Sequence, residues 1–428
     1  MRRRSLVASL LLMALGGATL SGCVLARASG RATASLFESP RKVNKLKDPI
    51  DKNARLAVLW IGHASALLQI DDKVILTDPV FTSSVGQLSK RLVEPGLDPA
   101  NLPPVDAVLI SHMHFDHLSL GSLDEIQRKI RMLLMPPGGT TYLTDFGFPV
   151  LELRPWQSYE KDGLRVTAVP VDHVGYRYGV DDAWMTRSFT GYVIEYHGVQ
   201  VYFGGDTAYD QKLFVDVAQR FTNLQLALLP IGPIEPREIM RRFHVDPREA
   251  VQAFIDLNAK WMVPIHYDTF INSTDNAGDA LRDLRAAEKS WDLGNRQVVR
   301  IAIGERHVFL KKDEEPTPLA PPKPPSSEAT SGPATPPAAK PPAARTDDSL
   351  EDSEPAEKPK PAEAPKAVEK PKPGEKPKPV EKPKPGEKPK PVEKPKPVEK
   401  PKPVEKPKPA EKPKKKPKDD IPDDEKLD

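Results

Sequence analysis

The sequence predicts an α/β domain of stacked layers, and three observations carry that prediction. Apolar runs of strand length alternate with helix-like segments between residues 54 and 312. Several of those runs end on histidine or aspartate, which places reactive side chains at strand ends. That stretch is long enough to bury a two-layered core, whereas residues 313–428 are too poor in apolar anchors to bury any.

The first element is a targeting segment. Residues 1–22 read as a lipoprotein signal peptide, with Arg2, Arg3 and Arg4 ahead of an apolar core at 6–20. That core is short for spanning a bilayer. Leu20-Ser21-Gly22-Cys23 resembles the bacterial lipoprotein processing box, which implies cleavage before Cys23. Cys23 is the only cysteine, so the domain has no disulfide and no thiolate metal ligand. Residues 23–53 are then a lipidated tether. The expectation is a membrane-anchored protein of the cell envelope, facing the periplasm.

The domain at 54–312 is read strand by strand. An apolar run at 56–61 leads into Gly62-His63-Ala64-Ser65, where His63 has a supporting or structural place. Val74-Ile75-Leu76 ends at Asp78, suited to accept a hydrogen bond from a ligand histidine. Ala107-Val108-Leu109-Ile110 reads as a buried strand, followed by His112-Met113-His114-Phe115-Asp116-His117. Four metal-capable side chains thus fall within six residues, in a chain with nine histidines. Imidazole with carboxylate suits zinc, manganese or iron. His112 and His114 alternate with Met113 and face one way; Asp116 and His117 point elsewhere, toward a second ion. Further apolar runs end at His173, at Asp206 in Gly204-Gly205-Asp206-Thr207, and at His266.

His244 stands before Asp246-Pro247-Arg248-Glu249, which reads as an N-cap, a proline at N1 and an acid at N3. The helix then carries Ala250, Val251, Phe254 and Ile255 on one face. A histidine beside a helix N-terminus can hydrogen-bond an anionic oxygen or protonate a leaving group. His197 falls in an exposed hairpin turn and His307 near a terminal strand, and neither is assigned to the site.

His112-x-His114-x-Asp116-His117, followed in order by His173, Asp206 and His266, resembles the metallo-β-lactamase superfamily. The resemblance covers roughly residues 54–310 and implies a four-layer αββα sandwich. It also implies two divalent ions, zinc foremost, with manganese or iron as alternatives. One ion would sit on His112, His114 and His173, the other on Asp116, His117 and His266, with Asp206 bridging. Gly62-His63-Ala64-Ser65, Thr77-Asp78-Pro79, Leu229-Pro230-Ile231-Gly232, Glu235-Pro236-Arg237 and His244-Val245-Asp246-Pro247 resemble bacterial relatives of N-acyl-phosphatidylethanolamine-hydrolysing phospholipase D. The ascorbate-6-phosphate lactonase type is a more distant cousin. Two departures stand out: the segment after Thr82 is short, and Tyr267-Asp268 replaces a frequent Trp-Gly.

That resemblance implies a hydrolase of phosphodiester or phospholipid-like substrates, with Asp116 orienting the nucleophile and His244 assisting the leaving group. A lactonase or amide hydrolase on the same metals is the alternative. From another class, an envelope binding module with a structural metal site is weaker, because all seven ligands are present. Gly-x-Ser-x-Gly is absent, which removes the common serine-hydrolase signature. The domain has no dense basic stripe, so no nucleic-acid partner is expected. β-Lactam hydrolysis belongs to another branch.

The last element is the tail, residues 313–428. Of 49 prolines, 32 lie there, and from Val368 Glu-Lys-Pro-Lys-Pro recurs with a period of six. This composition predicts a disordered, partly polyproline II arm. Its 26 basic and 25 acidic residues nearly cancel. At ~3.1 Å per residue the extended arm reaches on the order of 300 Å, enough to contact the cell envelope at a distance.

Overall fold

The computed structural model describes residues 39–86, 89–181, 185 and 187–320. The expected signal peptide, Cys23 and the repeats of the expected tail lie outside the described residues. No helix among the described residues is long and apolar enough to cross a membrane.

Two seven-stranded mixed sheets make the centre. The first contains β1 (Ala54–Gly62), β2 (Ser65–Ile70), β3 (Lys73–Thr77), β6 (Ala107–Leu109), β7 (Leu133–Met135), β8 (Val150–Glu152) and β16 (Arg306–Lys311). Its order is β16-β1-β2-β3-β6-β7-β8. A small ribbon, β4 (Ser84–Val85) and β5 (Ser89–Lys90), lies outside it. The second contains β9 (Ser158–Lys161), β10 (Leu164–Val169), β11 (Gly191–Tyr196), β12 (Val199–Phe203), β13 (Leu224–Pro230), β14 (Trp261–Ile265) and β15 (Gln297–Val298), paired in chain order.

Period-two side-chain alternation sorts the apolar residues between layers. On β1, Leu56, Val58 and Trp60 enter the core shared with the second sheet, while Leu59 and Ile61 enter the opposite one. That opposite core is closed by Leu123 and Ile126 of α1 (Leu120–Ile126). The outer face of the second sheet is covered by α2 (Gln211–Arg220), α4 (Pro247–Asp256) and α5 (Asp279–Ser290), through residues such as Phe214, Phe254 and Leu284. A short α3 (Arg237–Met240) precedes α4 (Pro247–Asp256). The layers are helix, sheet, sheet, helix: the αββα sandwich that the resemblance implies.

Strand direction decides where the site falls. β1 is antiparallel to β2 and β2 to β3, while β6 is parallel to β3; β1, β3 and β6 therefore end at one edge. By the same logic β10, β12, β13 and β14 share a direction in the second sheet. Ligand sites gather where such strand ends open together. After β16 the chain stays on the domain, since the Gln225 side chain donates to Thr317 O and Asn258 to Leu319 O.

Candidate metal centre

Every sequence-selected ligand comes off a strand end and meets the others. His112, His114, Asp116 and His117 follow β6, His173 follows β10, Asp206 follows β12 and His266 follows β14. Together with His63 and His244, seven of the nine histidines converge there. The approach of the two halves is close. Gly205 has φ +58, and a Cβ on it would lie 2.4 Å from Ser111 Cβ. Only glycine lets Asp206 come this near the histidine loop.

Among the described residues two four-membered groups of ligand atoms result, one formed by His112, His114, His173 and Asp206 and the other by Asp116, His117, His266 and His63, and a third, Asp206, His244 and His266, overlaps both. In the first, His112 Nε2 lies 2.8 Å from His114 Nδ1. Asp206 Oδ2 lies 3.9 Å from His112 Nε2 and 3.8 Å from His173 Nε2. In the second, the Nε2 atoms of His117 and His266 stand 3.2 Å apart. Asp116 Oδ2 is 3.9 Å from the first of these and 4.0 Å from the second. Asp206 reaches this group as well, with Oδ2 3.3 Å from His117 Nε2 and Oδ1 3.0 Å from His266 Nε2. Its central position suits a bridging carboxylate.

The outer nitrogens fix the tautomers. His117 Nδ1 donates to Asp78 Oδ2 at 2.7 Å, His266 Nδ1 to Gly232 O at 2.9 Å and His173 Nδ1 to Phe243 O at 2.8 Å. Ser111 Oγ donates to Asp78 Oδ2, so it accepts from His112 Nδ1 at 2.9 Å. Each of these rings thus turns its other nitrogen inward. His117 and His266 bring those nitrogens within 3.2 Å, so a proton on His117 or a cation must lie between them. His173 Nε2 and His244 Nδ1 are buried without hydrogen-bond partners. Such atoms are costly unless they bind something. An inward set of imidazole nitrogens with carboxylates fits one or two divalent ions of the zinc type.

The electrostatics agree. Burial would raise the Asp206 carboxyl, but His266 and His117 overcome it and hold it well below the usual carboxylate range. Asp116 is likewise pushed up by burial and held well down by His117 and His63. Burial would lower His117, yet Asp206, Asp116 and Asp78 hold it well above the ordinary histidine value. Burial and neighbouring imidazoles press His112 well down. The two carboxylates thus stay charged at the centre, while most of its imidazoles resist a proton and keep a lone pair for a cation.

Asp78 is the acceptor the sequence suggests: fully buried, it takes His117 Nδ1, Ser111 Oγ and Ser111 N. His244 lies inside the cluster, its Nδ1 3.6 Å from Asp206 Oδ2 and its ring 5.2 Å from that of His173. Burial pushes it down to about 4. The predicted capping box is present at Asp246 and Glu249. His197 is exposed in its turn, against Asp71. Asp268, where glycine is frequent in the resembling family, adopts φ +51 and accepts from Gly278 N.

Sequence reasoning missed two supports. Arg177 is buried and its Nη1 donates to Met113 O at 2.9 Å and Leu118 O at 2.8 Å, clamping both ends of the histidine loop. No local pattern marks it. Ser111 adjoins the motif, and only that adjacency could have singled it out.

Comparison with known proteins places these features in context. Residues 73–267 match the family model described as a β-lactamase superfamily domain. An uncharacterized protein of Mycobacterium tuberculosis is 35% identical over 247 residues, covering 55% of this chain and 64% of its own length. The chain thus spans a little under two thirds of that relative. N-acyl-phosphatidylethanolamine-hydrolyzing phospholipase D 1 of Caenorhabditis elegans is 29% identical, over 61% of this chain and 78% of that protein. A UPF0173 metal-dependent hydrolase of Methanoregula boonei is 31% identical, over 55% of this chain and 90% of that protein.

Proposed function

We propose, for a chain that belongs to the β-lactamase superfamily of metal-dependent hydrolases, that the site hydrolyses phosphodiesters of phospholipid type. The observation that carries this reading is His244. Its Nδ1 is buried, unpaired and beside the bridging Asp206, and its backbone leads into the capped start of α4. A neutral imidazole there can place one hydrogen bond on a phosphoryl oxygen or leaving group, in a field that favours anions. The likeness to a protein named for hydrolysing N-acyl-phosphatidylethanolamine supports the same substrate class.

Two divalent ions, when bound, would supply Lewis acidity, a lowered water pKa and charge for the developing oxyanion. The residues do the rest. His112, His114 and His173 would hold one ion and Asp116, His117 and His266 the other, with Asp206 placed to serve both. Asp116 and His114 keep part of their surface open, so substrate approaches from their side. Asp116 there orients the attacking water. Membrane attachment through lipidated Cys23 would bring this face near lipid headgroups, and the tail would reach the envelope beyond.

The test compares bis-p-nitrophenyl phosphate and a phospholipid with an activated lactone. Replacing His244 by alanine should cut phosphodiester turnover ~100-fold with metal content unchanged, and lactone turnover less. Ready cleavage of lactones with none of phosphodiesters would establish the lactonase alternative instead.

A further inference from the structure

His63 stands at the seam where the second ligand group is assembled, and it touches a ligand from each sheet. Its Nε2 lies 2.9 Å from Asp116 Oδ2. A carboxylate that serves as a metal ligand has oxygens that can only accept. The His63 nitrogen is therefore the donor, and a nitrogen that carries a proton cannot ligate an ion at the same time. On its other side the His63 ring packs on that of His266, with centroids 3.8 Å apart. Its backbone carbonyl also accepts the His266 amide at 3.1 Å.

The residue itself is fixed from three further directions. Its amide donates to Thr269 Oγ1 at 2.8 Å, and its carbonyl accepts Trp60 Nε1 at 3.0 Å. Phe270 meets the ring edge-on at 5.1 Å. The backbone takes φ +56, a region costly for a residue with a Cβ and kept only where surroundings enforce it. The side chain is 1% exposed. A strained, buried histidine with a committed donor is built for one geometry.

We propose that His63 is a positioning residue for the second ion. It holds Asp116 by hydrogen bond and His266 by stacking and a main-chain bond, and so sets the distance between a ligand of the first sheet and one of the second. Among the described residues no hydrogen bond or ring contact joins His63 to His112, His114 or His173, so the first ion should not depend on it. The inference rests on the two-ion reading above.

The experiment uses the full chain and its His63→Phe and His63→Gln variants. Phenylalanine keeps the ring and its stacking but removes the donor; glutamine restores an amide donor. Each protein is stripped with chelator, melted, and titrated with Co2+ while absorption is followed. The wild type should take two ions. His63→Phe should melt within a few degrees of wild type, bind the first ion unchanged and lose about 10–100-fold in affinity for the second, with the Co2+ bands of that ion altered. His63→Gln should recover part of the loss and of the spectrum. If wild type takes two ions and His63→Phe takes both with the same affinity and spectrum, the positioning role is wrong while the two-ion reading stands. If wild type takes fewer than two, the two-ion reading fails and the inference with it. Should His63→Phe not fold, the glutamine variant decides: equal loss of both ions overturns the proposal, and loss confined to the second supports it.

Discussion

Replacing Asp78 by asparagine tests how far the metal centre depends on an outer acceptor. Asp78 is fully buried and engages three donors: Ser111 N at 2.7 Å, Ser111 Oγ at 2.6 Å and His117 Nδ1 at 2.7 Å. Asparagine can keep the bond to Ser111 N through its oxygen. Its NH2 group then faces the imidazole N–H of His117, donor against donor, while the rotatable Ser111 hydroxyl can turn to accept from it. A hydrogen bond to a charged group contributes ~1.5–3 kcal/mol, so losing the one from His117 costs about that much in the metal-free protein. His117 can relieve the clash only by giving up its Nδ1 proton, which leaves a proton on Nε2, the nitrogen that has to be free to hold an ion. Outer partners of metal ligands are typically worth 10–100-fold in affinity or activity. Asp78→Asn should therefore melt on the order of 10 °C lower after chelation and bind the His117-side ion 10–100-fold more weakly. Differential scanning calorimetry and Co2+ titration read both. A variant that melts within two degrees of wild type and titrates identically would refute the tautomer argument.

Three further outcomes follow from other parts of the molecule. Arg177→Met leaves the carbonyls of Met113 and Leu118 without their donor, at ~1–3 kcal/mol for each buried acceptor; the melting temperature and Co2+ affinity should both fall, and unchanged values would show that the clamp is dispensable. Chelator-treated protein should lose stability as pH drops from 6.5 toward 4. His63 is pushed down to about 3 and His244 to about 4 from an ordinary 6.5, and His112, His114 and His173 are also lowered, so in that window the unfolded chain binds more protons. His117, raised, works oppositely, contributing fully below 6.5 and losing that contribution as pH rises through its folded value. A melting temperature that is flat or rising on acidification would contradict the balance. Cys23→Ser should leave the protein unprocessed or release it from membranes, and wild-type partitioning and migration would refute lipid anchoring through that residue.

The ligand run at 112–117, the strands that end at His173, Asp206 and His266, and the capped helix after His244 were legible because each is written in neighbouring residues. Period-two apolar runs, a metal motif and an N-cap need no knowledge of distant chain. The strand bounds Val199–Phe203 and Trp261–Ile265 coincide with the apolar runs themselves. What the sequence left open lies in pairs far apart along the chain. His63 and Asp116 are 53 residues apart, Asp78 and His117 39, Arg177 and Met113 64. Nothing near His63 says whether its ring faces solvent, a core or a carboxylate, and nothing near Arg177 marks it as buried. Those contacts exist because β1, β3 and β6 share one direction and β10, β12 and β14 share another, bringing their ends to common edges. Side-chain chemistry determined what kind of centre this chain can build; strand direction and sheet packing decided which residues hold it in place.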